Sequence, residues 1–240
     1  CWIFYKYQYT NGIAQFTAWE KEYKNPKLIT NSNEPQVAFK DFVKWLRKKE
    51  GVDLSLLRVL DLGSGTGKNS IFLALRGADV SGIELSKKAV EIAHERAEKE
   101  GVKINFINGS FGDTFPFADD SFDLILDITS SNSLNEEERE MYRKECARVL
   151  KSGGHMFVRA LCKDGDKNAL NLLKLSPGKE HDTYFMKDIG LYERVFTRED
   201  IVNLYLSEFL ILSLEKDINY TSLGGRSYKR NFWLAYLKKK

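Results

Sequence analysis

Cysteine is scarce in this 240-residue chain: Cys1, Cys146 and Cys162 make an odd number, with no C-x-x-C pair. That count and spacing exclude a disulfide framework and a thiolate zinc site, and they suit a reducing, cytoplasmic compartment. Cys146 shares a helical face with Tyr142, Val149 and Leu150 and reads as core. Histidine is as rare. His94, His155 and His181 form no cluster with carboxylates at metal-ligand spacing, so no metal is expected. No apolar run approaches the ~18–20 residues a membrane span needs, so no membrane partner is expected. Charge of one sign is also lacking. The 37 Lys+Arg against 34 Asp+Glu leave a net +3, too little to imply nucleic-acid binding. The only basic run, Lys238-Lys239-Lys240, reads as a solvated terminus. There is no fixed-period repeat and no low-complexity linker. The opening CWIFYKYQYT has no small-residue cleavage site, unlike a signal peptide. It starts at Cys1 rather than Met, which leaves room for an upstream segment.

What is present suits a folded core: 42 % of residues are hydrophobic and 30 % charged. Residues 1–34 read as an N-terminal aromatic arm or cap, with Tyr5, Tyr9, Phe16, Trp19 and Tyr23. Residues 35–240 read as one domain. Ala38, Phe42, Trp45 and Leu46 recur at helical spacing and Gly51 closes that helix. Beyond it strand-like and helical stretches alternate: strands at 58–62, 79–84, 103–107, 122–126 and 155–160, and helices at 68–76, 87–100 and 136–150. Ser86 is placed to cap the second of these helices, and Asn135 with Glu138 forms a capping box for the third. Alternation of this kind implies a parallel sheet with helices on both faces. Near the end, Thr197 and Asp200 open a short helix. Residues 209–215 and 231–237 then form two strands with no helix between them, an antiparallel pair. The fold class expected is α/β, a doubly wound, seven-stranded, mostly parallel sheet with one reversed strand near the C-terminus.

The sharpest signal is Val59-Leu60-Asp61-Leu62-Gly63-Ser64-Gly65-Thr66-Gly67. A strand runs into a turn with glycine at alternate positions, and a helix follows at once. Glycine permits positive φ and close approach of a ligand, and the helix offers unpaired N–H groups to it. Glu84, at the end of the next strand, is placed to accept hydrogen bonds from two ribose hydroxyls. Together they indicate a nucleoside-containing ligand. The spacing is G-x-G-x-G, not the dinucleotide G-x-G-x-x-G. A P-loop is excluded because Asn69 follows Lys68 where Ser or Thr is required.

The run DLGSGTG with the later acid resembles the class I S-adenosylmethionine-dependent methyltransferases, over about residues 35–160 by motif. The resemblance implies S-adenosylmethionine as cofactor, with S-adenosylhomocysteine as product. It places Asp61 at the methionine amino group, the backbone of Gly63, Ser64, Gly65 and Gly67 around the methionine and ribose, Glu84 on the ribose and Leu85 against adenine. Ser110 and Phe111 fall at the adenine, where the family usually has an acid. Asp127, at the end of the fourth strand, either contacts cofactor and acceptor or caps its turn. Asp127-Ile128-Thr129-Ser130-Ser131-Asn132-Ser133 lacks the Asn-Pro-Pro-Tyr type of run, which lowers a nucleic-acid amine as acceptor.

Methyl transfer needs chiefly in-line positioning, and a base only where the acceptor must lose a proton. Residues 161–195 form a long connection that reads as a lid or binding insertion. Within it, His181 is the general-base candidate, with an exposed loop histidine as the alternative. His94 and His155 read as structural. Trp19, Tyr23 and Tyr184 are the acceptor-pocket candidates. The function expected is methyl transfer to a small-molecule acceptor by a monomer or homodimer. The alternatives are an RNA or tRNA methyltransferase using the basic tail with Arg226 and Arg230, and a non-catalytic cofactor-binding protein.

Overall fold

The computed structural model describes residues 12–26, 33–223 and 226–240. Tyr5 and Tyr9 of the expected arm lie outside them. Seven strands form one sheet: β1 (Arg58–Leu62), β2 (Asp79–Glu84), β3 (Asn105–Asn108), β4 (Phe122–Ile128), β5 (Leu150–Leu161), β8 (Phe209–Leu223) and β9 (Arg226–Lys239). Their order is β3-β2-β1-β4-β5-β9-β8. β1 through β5 run parallel, β9 is antiparallel to β5, and β8 is antiparallel to β9. The reversed strand expected near the C-terminus is therefore β9.

Helices α2 (Val37–Lys49), α3 (Lys68–Ala74) and α4 (Lys87–Lys99) cover one face; α5 (Glu136–Val149) and α7 (Arg198–Tyr205) cover the other. On the first face Phe39, Phe42 and Leu46 of α2 are buried against Val59, Leu124 and Phe157. The Phe42 and Phe157 rings stack at 4.6 Å. On the second, Tyr142, Cys146 and Val149 of α5 join Ile201 and Tyr205 of α7 over Leu60, Ile125 and Val158. The expected capping box of Asn135 with Glu138 forms, and Thr197 with Asp200 at the start of α7 forms a second.

The segment after β5 is more ordered than a loop. It folds as α6 (Lys167–Leu175) and an antiparallel hairpin of β6 (Thr183–Met186) and β7 (Leu191–Arg194). Leu161, Ala169, Tyr184, Val195 and Phe232 form its own small core. Ahead of the domain, α1 (Gly12–Lys24) packs on both α4 and β7.

Two sequence readings are corrected. The terminal lysines are not a solvated tail, because β9 carries the pairing through Lys239. Lys238 bonds Glu50, Lys239 bonds Asp120 and the Leu150 carbonyl, and Lys240 bonds the Leu206 carbonyl. Arg230 is not a surface residue: its side chain is 12 % exposed and pairs with Asp166 at 3.3 Å, whose own side chain is fully buried.

Candidate functional site

The sheet order reverses between β1 and β4: β2 and β3 lie to one side of β1, and β4 and β5 to the other. In open α/β sheets the crevice at the carboxyl ends of such strands is where ligands bind. The apolar run of β1 is buried on both faces, as a central parallel strand requires. It delivers Asp61 and the glycine turn to that crevice.

Gly63, Gly65 and Gly67 all have positive φ, at 65°, 55° and 80°. Each is also sterically confined. A Cβ on Gly65 would stand 2.8 Å from the Tyr23 hydroxyl, and one on Gly63 would stand 2.5 Å from Ser130 Oγ. Only glycine fits both the backbone and the space. The Gly63 and Ser64 N–H groups donate to the Ile83 carbonyl, tying the turn to β2. Ser64's side chain faces Gly82 rather than the crevice.

Two buried carboxylates flank this turn. Glu84, 5 % exposed, accepts from the Gly65 N–H at 2.9 Å through Oε2 and from the Ser86 N–H at 2.7 Å through Oε1. Each oxygen keeps capacity for a further donor. Asp61, 1 % exposed, accepts from the Ser70 hydroxyl at 2.6 Å. Burial raises the pKa of Asp61 to about 7, opposed by Ser70 and reinforced by the charges of Glu84 and Asp127. Burial raises Glu84 to about 6, opposed by the Ser86 and Gly65 N–H groups. Among the described residues no ion pair closes on either of these desolvated acids, an environment that a positively charged ligand bearing hydroxyls would complete.

α1 lies over this crevice. Burial and the negative charges of Glu84, Glu22 and Asp61 push the Tyr23 phenol well above its usual pKa. Glu20 accepts from the Ser86 hydroxyl and the Lys88 N–H, at the start of α4. Trp19 packs with Tyr23, ring centroids 6.1 Å apart, and against Ala18, Ile189 and Leu191.

The remaining expected residues differ in their surroundings. Leu85 is partly exposed beside Glu84, and Asn108 bonds its carbonyl. Ser110 is partly exposed, its hydroxyl accepting from the Gly112 N–H. Phe111 is 8 % exposed within the sheet core, edge-on to Tyr142. Asp127 is fully buried with both oxygens engaged. Oδ1 accepts from the Ser130 and Ser131 N–H groups, and Oδ2 accepts from Tyr142, whose hydroxyl also meets Tyr205 at 2.9 Å. It thus caps the turn after β4. His181 projects into solvent, its side chain 75 % exposed with Asp182 at 3.5 Å. Tyr184 lies fully buried beneath the β6–β7 hairpin, accepting from Arg230.

A cleft that sequence reasoning did not reach opens between α1, residues 132–135 after β4, and β7. Gln15, Asn132, Ser133, Glu180, Tyr192, Glu193 and Arg194 help to line it, around a narrow space of about 20 Å³ that opens to solvent. Gln15 holds its walls together: its Nε2 donates to the Ser133 and Tyr192 carbonyls, and its Oε1 accepts from the Tyr192 N–H. Among the described residues no group of His, Cys, Asp and Glu could hold a metal ion, and no helix is long and apolar enough to cross a membrane.

Known proteins share this architecture. Residues 59–154 match a family model described as a methyltransferase domain. Methyltransferase GfsG of Streptomyces halstedii is 36 % identical over 104 residues, which cover 42 % of this chain and 36 % of that protein. The ubiquinone biosynthesis O-methyltransferase of Rhizobium leguminosarum bv. trifolii is 28 % identical over 193 residues, 75 % of each chain. The chain spans only 36–46 % of the length of the relatives it matches above 30 % identity. The crystal structure of Burkholderia thailandensis 1,6-didemethyltoxoflavin-N1-methyltransferase with bound 1,6-didemethyltoxoflavin and S-adenosylhomocysteine shares the fold at a TM-score of 0.70. That match is 15 % identical and covers 98 % of this chain and 90 % of that one.

Proposed function

We propose that this chain, whose residues 59–154 match a methyltransferase-domain family model, is an S-adenosylmethionine-dependent methyltransferase that acts on a small-molecule acceptor. The observation that carries this reading is the pair of buried acids, Asp61 and Glu84, on either side of a glycine turn at the β1/β4 switch point. When bound, S-adenosylmethionine supplies an electrophilic methyl group on a sulfonium whose leaving group is a neutral sulfide. Asp61 would hold the methionine ammonium and Glu84 the ribose hydroxyls. The glycine turn would let the backbone approach, and Leu85 would pack on the adenine. Tyr23 and Trp19 on α1 would exclude water from above.

A small acceptor is favoured over RNA because the cations an RNA reading would use are already paired within the domain: Arg230 with Asp166, Lys238 with Glu50 and Lys239 with Asp120. The side chain of Arg226 lies outside the described residues. We place the protein in the cytoplasm, as the free, buried Cys146 and Cys162 suit a reducing compartment.

Calorimetry with S-adenosylhomocysteine tests the cofactor half. The wild-type chain should bind it, and Glu84→Ala should bind it about 10–100-fold more weakly, the equivalent of losing hydrogen bonds to a charged group worth about 1.5–3 kcal/mol. Equal affinity for both forms would overturn the assignment. Transfer of labelled methyl to a panel of phenols, enols and N-heterocycles, with no transfer to tRNA, tests the acceptor half.

A further inference from the structure

α1 joins the glycine turn to the polar cleft beside β7. Tyr23 lies against Gly65 at one end of the helix, and Gln15 braces the cleft wall toward the other. They stand eight positions apart on the helix, about 12 Å at 1.5 Å per residue. The turn after β4 reaches both places too, with Ser130 against Gly63 and Asn132 and Ser133 in the cleft. A methyl acceptor must reach the crevice, and two independent elements, α1 and the turn after β4, join this cleft to it.

The cleft also holds polar groups with nothing to bond. Asn132 Nδ2, Ser133 Oγ and Arg194 Nε are buried without a hydrogen-bond partner. Unpaired buried polar groups are few in folded chains and call for an explanation. Here three belong to residues lining one cleft, and two of the three are pure donors. β7, which carries Arg194, also supplies one carboxyl, Glu193. Its surroundings are Tyr184 on β6, whose hydroxyl is 3.4 Å from Oε2, Arg230 on β9, and Ser133, whose hydroxyl lies beside it without full hydrogen-bond geometry. Glu180, Lys179 and Gln15 complete the polar rim.

We propose that this cleft is the acceptor site, and that it takes a small planar molecule with an acidic N–H or O–H facing Glu193 and a neighbouring carbonyl oxygen facing Asn132 and Arg194. Imides, lactams and enolic or phenolic carbonyl compounds have that pattern. Glu193 then serves as the proton acceptor. The N–H or O–H bond of the acceptor breaks, its electron pair stays on the nitrogen or oxygen, and the proton joins a Glu193 carboxylate oxygen. One negative charge moves from the protein to the acceptor, which becomes the nucleophile. Burial lifts the Glu193 pKa to about 7, opposed by Arg230, Tyr184 and Ser133, which suits a base working near neutral pH. This inference rests on the methyl-transfer reading and deepens it.

Phthalimide, whose N–H lies between two carbonyls, and N-methylphthalimide, which lacks that proton, are the probes. Both are titrated by calorimetry into the full chain without cofactor. Wild type should bind phthalimide at least tenfold more tightly than its methylated counterpart. That affinity should fall about eightfold from pH 7.5 to pH 6 as Glu193 takes up a proton, following the population of the binding-competent form. Glu193→Gln should abolish both the preference and the pH dependence, and Lys44→Ala, an exposed change on α2, should keep them; circular dichroism confirms that each variant is folded. No preference in wild type, or the same preference in Glu193→Gln, would overturn the proposal. S-adenosylhomocysteine titrated into the same samples separates the two ideas. Its binding without imide discrimination sinks only the acceptor class, whereas its failure to bind sinks the methyl-transfer reading itself.

Discussion

Replacing Asp61 with Asn should stabilise the unliganded chain above neutral pH and disable its cofactor crevice. Burial lifts this carboxyl from an ordinary 3.8 to about 7. At about 1.36 kcal/mol per pH unit, ionising it inside the fold costs on the order of 4 kcal/mol. A raised folded-state pKa contributes stability that is complete below 3.8 and is lost as the pH rises through about 7. Most of that window falls between pH 5 and pH 8, so Asp61 alone should remove about 3 kcal/mol across it. Asn removes the charge and can still accept from Ser70 through its oxygen, but it brings a buried NH2 group for which, among the described residues, the pocket supplies no carboxylate or carbonyl partner, a cost of about 1–3 kcal/mol. Urea unfolding should therefore show a sign change: the variant about 1–3 kcal/mol less stable than wild type at pH 5, and level with it or more stable at pH 8. Binding should move the other way. A ligand ammonium needs the ionised carboxylate, which is about a tenth of the population at pH 6 and most of it at pH 8. Wild-type affinity for S-adenosylhomocysteine should thus weaken about tenfold over that range, and a little more because Glu84 titrates near 6. At pH 7 binding should release about half a proton, read from the dependence of the binding enthalpy on buffer. An affinity flat from pH 6 to pH 8, or unchanged in the variant, would refute the idea that this acid awaits a cation.

Two further outcomes follow from packing. Gly65→Ala would place a Cβ 2.8 Å from the Tyr23 hydroxyl at a φ of 55°. It should weaken S-adenosylhomocysteine binding by at least tenfold and expose Tyr23 to fluorescence quenching, while the melting temperature falls only modestly. Phe42→Ala removes a ring stacked on Phe157 at 4.6 Å with no exposure to solvent. It should cost about 3–5 kcal/mol in denaturant unfolding and leave cofactor affinity per folded molecule unchanged.

The parts of the chain legible from sequence were those whose chemistry is local. Gly63, Gly65 and Gly67 announce a turn because their alternate spacing has few other uses, and Glu84 follows at the end of the next strand. Asn135 with Glu138, and Thr197 with Asp200, sit three residues apart and cap their helices by contacts within that reach. The cleft was not legible, because Gln15, Ser133 and Glu193 meet only after the chain has folded over more than 170 residues, and no spacing advertises it. Gly190 between Thr183–Met186 and Leu191–Arg194 was the one local hint of the hairpin that carries Glu193. His181 drew attention for its imidazole, yet residue type says nothing of exposure. Arg230 and the terminal lysines misled for the converse reason: charge suggests surface, but Asp166, Glu50 and Asp120 were already placed to receive them.

The position of α1 has a consequence for how the two halves of the site communicate. Its contacts run to α4 through Glu20, to the glycine turn through Tyr23 and to β7 through Gln15. α1 cannot pivot off the crevice without breaking the three hydrogen bonds that Gln15 makes across the cleft. A ligand in the cleft would hold the same walls that Gln15 holds, and a ligand in the crevice would hold Tyr23. Each would therefore lower the ordering cost that the other meets, which is positive coupling without any third conformation. Such coupling suits a transfer reaction, because an enclosed crevice excludes water only when both of its occupants are in place.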